Sequence, residues 1–253
     1  MEDQAALLAA LRLQLDFGAD EALEALPTGL RPAAPAAPMP NLAAPPASRP
    51  IPPGTAEAAE LAAGSATLEA LATAMRGFAG SALRDTATRF VFADGVPGAP
   101  VMLVGGAPGP DEDRAGTPFI GPAGALLDQM LGSIGVSRAT NAYLTNILPW
   151  RPPGDRNPTE QELAMFLPFL RRHIALARPR LLILLGDQAT KALLGGRDGI
   201  SRRRGKWSQV DISDDQVIPA LPTWHPTYLR STPLAKREAW QDWLMLHRRM
   251  NEG

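Results

Sequence analysis

Without a single cysteine among its 253 residues, this chain has no thiolate for nucleophilic attack, disulfide formation or cysteine-held metal. The residue types that remain able to do chemistry gather in three loops. Trp224-His225-Pro226-Thr227-Tyr228-Leu229-Arg230 sets a histidine in a proline-stiffened turn, where an imidazole can donate or accept a hydrogen bond near neutral pH. Tyr143-Leu144-Thr145-Asn146 closes on an asparagine, whose amide both donates and accepts and so can read the polar edge of a nucleobase. The third loop runs Gly105-Gly106-Ala107-Pro108-Gly109-Pro110-Asp111-Glu112-Asp113 and then Gly116-Thr117-Pro118-Phe119-Ile120-Gly121-Pro122-Ala123-Gly124. Its glycines let backbone N–H groups approach a ligand, and a helix beginning near Ala123 adds partial positive charge. No Gly-Lys-Ser/Thr follows, and Gly-x-Gly-x-x-Gly does not fit, so neither a Walker loop nor a dinucleotide fingerprint is present. Taken alone, each loop also has a plain structural reading as a turn or a cap.

These loops need elements to hold them. Short apolar runs at 101–104, 142–147, 180–185 and 217–223 read as strands, with 88–92 as an edge strand. They alternate with helices expected at 123–134, 159–177 (Thr159 as N-cap), 188–194 and 234–250. That alternation predicts an α/β fold, a three-layer α/β/α sandwich with a central, roughly four-stranded parallel sheet. In such sheets the ligand crevice lies outside the carboxyl ends of the strands. Here those ends are Gly105, Asn146, Gly186 and His225.

The N-terminal part differs in kind. Residues 1–26 contain a short amphipathic helix (5–17), and 27–54 form a linker with ten prolines between 27 and 53, expected to be extended and disordered. Residues 55–253 form the folded domain, with 55–78 as a leading helix. Residues 1–100 hold 11 acids and 6 bases, whereas 101–253 hold 15 and 19; the balance moves from −5 to +4, a mild bias toward a polyanion. The acidic N-terminus and the lack of long apolar runs predict a cytoplasmic protein. His173 and His247 lie on helices and read as structural.

In combination the three loops resemble the family 4 uracil-DNA glycosylases, whose first loop follows G-E-A-P-G-x-x-E-D-x-x-G-x-P-F-x-G-x-A-G. The similarity continues through Thr145-Asn146, the Arg151-Pro152-Pro153-Gly154 run, Leu185-Gly186, Arg204-Gly205-Lys206-Trp207 and His225-Pro226-Thr227-Tyr228-Leu229. It extends from residue 81 to the C-terminus.

This resemblance implies base flipping and hydrolysis of the N-glycosidic bond of uracil in DNA during base excision repair. Gly105, Gly106, Ala107, Phe119 and Asn146 would bind the uracil. His225 would donate a hydrogen bond to the departing base, with Asn146 and Glu112 as the other catalytic groups. Arg202, Arg203, Arg204, Lys206, Tyr228, Arg230, Lys236 and Arg237 would contact DNA. The chain is expected to be a monomer, away from membranes, with the N-terminal helix tethering a repair or replication partner.

Two departures from the family stand out. Gly106 replaces the family's first-loop glutamate, which leaves two readings: an enzyme that works without it, or a weak or inactive glycosylase fold that binds DNA or a nucleobase. Phe78, Ser81, Trp150 and Phe166 replace the four cysteines that hold an iron-sulfur cluster in typical members, so no metal or other cofactor is expected. The three aromatic replacements predict an apolar plug, with Phe78, Trp150 and Phe166 packed together and burying about 150–250 Å² each.

Overall fold

The computed structural model describes residues 54–213 and 215–252; the helix expected at 5–17 and almost all of the proline linker lie outside them. The chain starts with α1 (Thr55–Gly64) and α2 (Leu68–Gly77). These two replace the single leading helix expected over 55–78. Ser65 leaves helical geometry, and the Thr67 side chain accepts a hydrogen bond from Ala70 N–H (3.2 Å), capping a second helix. After α3 (Leu83–Thr86) come β1 (Ala93–Gly95), β2 (Val101–Gly105), α4 (Pro110–Ala115), α5 (Gly121–Gly132) and β3 (Ala142–Asn146). A 3₁₀ turn (Pro153–Asp155) precedes α6 (Glu160–Ala177), β4 (Leu181–Leu185), α7 (Gly186–Leu194) and α8 (Ile200–Arg203). The chain then runs through β5 (Ser208–Ser213), β6 (Gln216–Thr223), α9 (Pro226–Ser231) and α10 (Ala235–Asn251).

The strands form one sheet in the order β1-β3-β2-β4-β6-β5. Its four central strands are parallel, as expected, and antiparallel β1 and β5 are added at the edges. The edge strand expected at 88–92 instead lies at Ala93–Gly95. The reason is local: the backbone N–H groups of Thr88 and Arg89 donate to Asp113 Oδ1 (2.8 and 3.1 Å), and Val91 N–H donates to Pro149 O. Donors spent in this way cannot join a ladder. β5 was not anticipated, although its alternation of buried Val210 and Ile212 with exposed neighbours is the mark of a half-buried strand.

The central strands carry apolar side chains on both faces, so each face needs a cover. Met102, Val104, Leu182 and Leu184 point into a core with α1, α2, α6 and α7. Val101, Leu103, Leu144 and Ile183 point into a second core with Leu127 and Leu131 of α5 and Trp243 and Leu246 of α10. This is the three-layer sandwich. Thr159 begins α6 with a capping box, its hydroxyl accepting from Glu162 N–H while the Glu162 carboxylate accepts from Thr159 N–H.

Candidate active site

Parallel pairing brings the first two loops together. Gly105 ends β2 in register with Asn146, the last residue of β3. A Cβ on Gly105 would collide with Asn146 Oδ1 and lie 2.6 Å from Phe119 Cζ. Only a bare α-carbon lets the amide and the ring converge there. The third loop leaves β6 and puts the His225 ring 6.0 Å from that of Phe119. Gly186, at the end of β4, completes the group, since a Cβ on it would lie 3.0 Å from His225 Cβ. All four strand ends therefore contribute to one site.

Phe119 takes a left-handed backbone conformation, φ 53°, which costs a residue with a side chain about 1–3 kcal/mol. Both of its peptide groups are clamped. Its N–H donates to Glu112 Oε1, while Glu112 Oε2 accepts from Gly109 N–H. Its carbonyl accepts from Arg138 Nη2 (2.8 Å), and the same guanidinium pairs with Asp94 (2.7 Å) and Asp128 (2.8 Å). Burial holds the Glu112 carboxyl above the usual carboxylate range, outweighing the two backbone N–H bonds that lower it. With an oxygen bonded to each of two backbone N–H groups of the first loop, Glu112 holds that loop together. Sequence reasoning missed Arg138 altogether. It stands 19 residues beyond Phe119, in no motif.

His225 caps α9: its Nδ1 accepts from Thr227 N–H (3.2 Å). Desolvation lowers its pKa to about 4, because the ring is enclosed even though the residue keeps some exposed surface. At neutral pH the imidazole is uncharged, and with Nδ1 accepting, the proton belongs on Nε2. The site thus holds a neutral Nε2–H donor. Beside it, Asn146 is 5% exposed and its Nδ2 has no hydrogen-bond partner; the nearby Glu112 feels the amide, but not in hydrogen-bond geometry. An unpaired buried donor costs about 1–3 kcal/mol, and a ligand acceptor in this slot would relieve that cost.

A buried aromatic floor, a neutral histidine donor and an unsatisfied amide at the carboxyl ends of a parallel sheet suit a flat heterocycle with polar edges. The model of the uracil DNA glycosylase superfamily matches residues 92–244. The chain belongs to that superfamily. Among similar proteins is a type-4 uracil-DNA glycosylase of Sulfurisphaera tokodaii, 37% identical over 143 residues, which are 55% of this chain and 64% of that protein. Another, from Pyrobaculum aerophilum, is 39% identical over 149 residues, 57% of this chain and 75% of its own. A third, from Archaeoglobus fulgidus, is 36% identical over 160 residues, 62% and 79% of the two chains. The match spans just under two thirds of the first of these relatives and three quarters or more of the other two.

Measured against the family pattern, the positions of its cluster cysteines have a different character here. Phe78 and Phe166 meet edge to face at 5.7 Å, Trp150 meets Phe166 at 5.7 Å, and Phe169 joins at 5.4 Å from Phe78. Phe78, Trp150 and Phe166 are each at most 3% exposed, so the predicted plug is present. Ser81 is buried as well, and its hydroxyl accepts from Leu83 N–H (3.3 Å). Three rings and a hydroxyl offer no thiolate, and these residues do not fit an iron-sulfur cluster.

The expected DNA-contact residues divide into two groups. Arg202, Lys206, Arg230, Lys236 and Arg237 are exposed, Arg203 is half-buried, and Tyr228 is 41% exposed with its ring tilted against that of Trp224 at 4.5 Å. Gly205 N–H bonds to Pro222 O, which places the basic loop at the same end of the sheet as His225. Arg204 departs from the expected surface role. Its guanidinium is bound to buried Asp242 (2.6 Å to Oδ1) and to the Glu238 carbonyl, and Asp242 also accepts from Thr223 Oγ1 (2.7 Å). Leu229, between the expected DNA contacts Tyr228 and Arg230, is buried.

Proposed function

We propose that this chain is a DNA glycosylase that hydrolyses the N-glycosidic bond of a flipped-out uracil in DNA, and that it does so without a metal or other cofactor. The observation that carries this reading is the pairing of a neutral His225, protonated on Nε2, with the free amide donor of Asn146 above Phe119. Uracil presents an N3–H donor beside its O4 acceptor. An asparagine amide complements that pair, whereas cytosine reverses both and leaves the site's polar groups unpaired. Phe119 provides a stacking surface. As the C1′–N1 bond breaks, its electron pair moves onto the base, and His225 Nε2–H donates to the carbonyl oxygen that gains charge. Backbone N–H groups near Gly105–Ala107 contribute in the same way. One such donor is worth about 2.7–4 kcal/mol of barrier. A neutral imidazole can stabilise the leaving base without handing over a full proton.

Arg202, Arg203, Lys206, Arg230, Lys236 and Arg237 are assigned to phosphate contact and Tyr228 to the DNA face, while Glu112 and Arg204 are assigned to support. Glu112 fixes Phe119; Arg204 anchors α10 beneath the basic loop. The reading includes a cytoplasmic monomer whose N-terminal segment tethers a repair partner. Among the described residues no helix is long and apolar enough to cross a membrane.

The competing reading, a fold that binds uracil-DNA without cleaving it, draws on Gly106, which has no side chain to act on water. Both are tested by incubating the protein with single- and double-stranded oligonucleotides carrying one uracil, then cleaving abasic sites with alkali. Strand cleavage that is lost in Asn146→Ala and His225→Ala supports the enzyme. Tight binding with no uracil released leaves the binder as the better account.

A further inference from the structure

The sheet order creates a topological switch point. The connection from β2 leads to β3 on one side, and that from β4 leads to β6 on the other. Residues following β2 and β4 therefore flank the crevice in which ligands of such sheets bind. From β2 come Gly105 and Gly106. From β4 comes Gly186, which turns at φ 84° straight into α7 against His225, followed by Asp187 and Gln188.

Gln188 lies over Gly106. A Cβ added to Gly106 would fall on Gln188 Oε1 and lie 2.8 Å from its Cδ. Gly106 itself has no left-handed φ, so its backbone would accept a side chain; the space is simply taken. Gln188 Nε2 donates to Asn157 Oδ1 (3.1 Å), which holds the carboxamide with its oxygen toward Gly106. Among the described residues no donor is bonded to that oxygen. A half-buried, oriented and free acceptor thus fills the volume through which a first-loop side chain would have to pass.

We propose that Gln188 is a catalytic residue that orients the hydrolytic water, supplying from β4 the acceptor that the first loop lacks. This rests on the glycosylase reading. Water oxygen forms the bond to C1′ while C1′–N1 breaks and its electron pair leaves with the base. A carboxamide cannot take the water's proton, so that proton passes to solvent, and the uracil anion regains one from solvent. Because the acceptor carries no charge, it adds no titration of its own to the acid limb of the rate, which protonation of His225 and Glu112 sets.

The test measures single-turnover cleavage of uracil in single-stranded DNA and, separately, the Kd for an oligonucleotide with a non-hydrolysable uracil nucleotide. Gln188→Ala should lower the rate constant roughly 10- to 100-fold with Kd and Tm unchanged. Gln188→Glu, close in shape, should give a rate whose acid limb differs from the one His225 and Glu112 set in the wild type, because a carboxylate now titrates beside the water. Gly106→Glu combined with Gln188→Ala, which clears the obstructed volume, should restore much of the lost rate. An active wild type with an unaltered rate in Gln188→Ala, or a Gln188→Glu whose acid limb coincides with that of the wild type, overturns the role of Gln188 alone. A wild type that releases no uracil overturns the glycosylase reading, and this inference with it.

Discussion

Two regions of the molecule stand where the family concentrates its functional groups, and they have diverged in opposite ways. At the carboxyl ends of the strands, residues are kept in costly states: a left-handed Phe119, an unpaired Asn146 amide and a desolvated His225. On the face covered by α1, α2 and α6, Phe78, Trp150 and Phe166, which the resemblance matches to cluster cysteines, join Phe169 and Phe90 in edge-to-face contacts. The difference reflects what each region must supply. A cluster that only staples segments together can be replaced by buried aromatic surface, because hydrophobic packing is non-directional. A site that must meet one heterocycle's donors and acceptors depends on directed groups, which bulk cannot replace.

The comparison predicts a clean separation of effects. Phe166→Ala should have the largest, a loss of about 3–5 kcal/mol of stability from the cavity left between Phe78, Trp150 and Phe169. Denaturant unfolding would show it, while uracil release well below the unfolding transition stays near the wild-type rate. If Phe166→Ala instead abolished release in the folded protein, the plug would be more than a staple. His225→Ala should do the reverse, cutting the cleavage rate by about 100- to 1,000-fold with little change in Tm.

The clamp on Phe119 should fall between these extremes. Arg138→Ala leaves the Phe119 carbonyl without its donor, at about 1–3 kcal/mol. Weakened affinity for uracil-DNA should accompany this, as the ring is no longer fixed. Equal binding by wild type and variant would show that the left-handed turn holds by itself.

A further effect is expected on acid stability, and it involves both regions. Burial lowers His173 to about 3 and His225 to about 4, from 6.5. As pH falls, the unfolded chain takes up these protons before the folded one. The stability tied to the two neutral rings is complete above about pH 6.5 and is lost progressively as pH falls toward 4 and then 3. His173, stacked on Phe92 (4.3 Å) and bonded to the Tyr143 hydroxyl (2.9 Å), has the deeper shift. His173→Gln should therefore flatten the acid side of a Tm-against-pH curve more than His225→Gln does.

Much of the arrangement was legible in the chain. The continuous run Leu181–Leu185, stopped by Gly186, could only be a strand buried on both faces. Gly105, Asn146 and His225 each follow such a run, so their convergence was a consequence of parallel order. The edge strands were harder. β1 is three residues long, and its true start depends on Asp113 capturing the N–H groups of Thr88 and Arg89 from across the loop. Nothing in local pattern reports a contact of that kind.

By itself, the sequence determined the α/β order, the absence of thiolates and the set of residues at the strand ends, because periodicity and chain order are local properties. Only the tertiary structure decided what those residues touch. It set Glu112 and Arg138 on opposite sides of the Phe119 peptide, withdrew Arg204 into a pair with Asp242, and laid Gln188 over the bare α-carbon of Gly106. Each of these pairings joins segments distant in sequence, and hydrogen bonds and excluded volume act through space, so the fold had to be complete before the pairs existed.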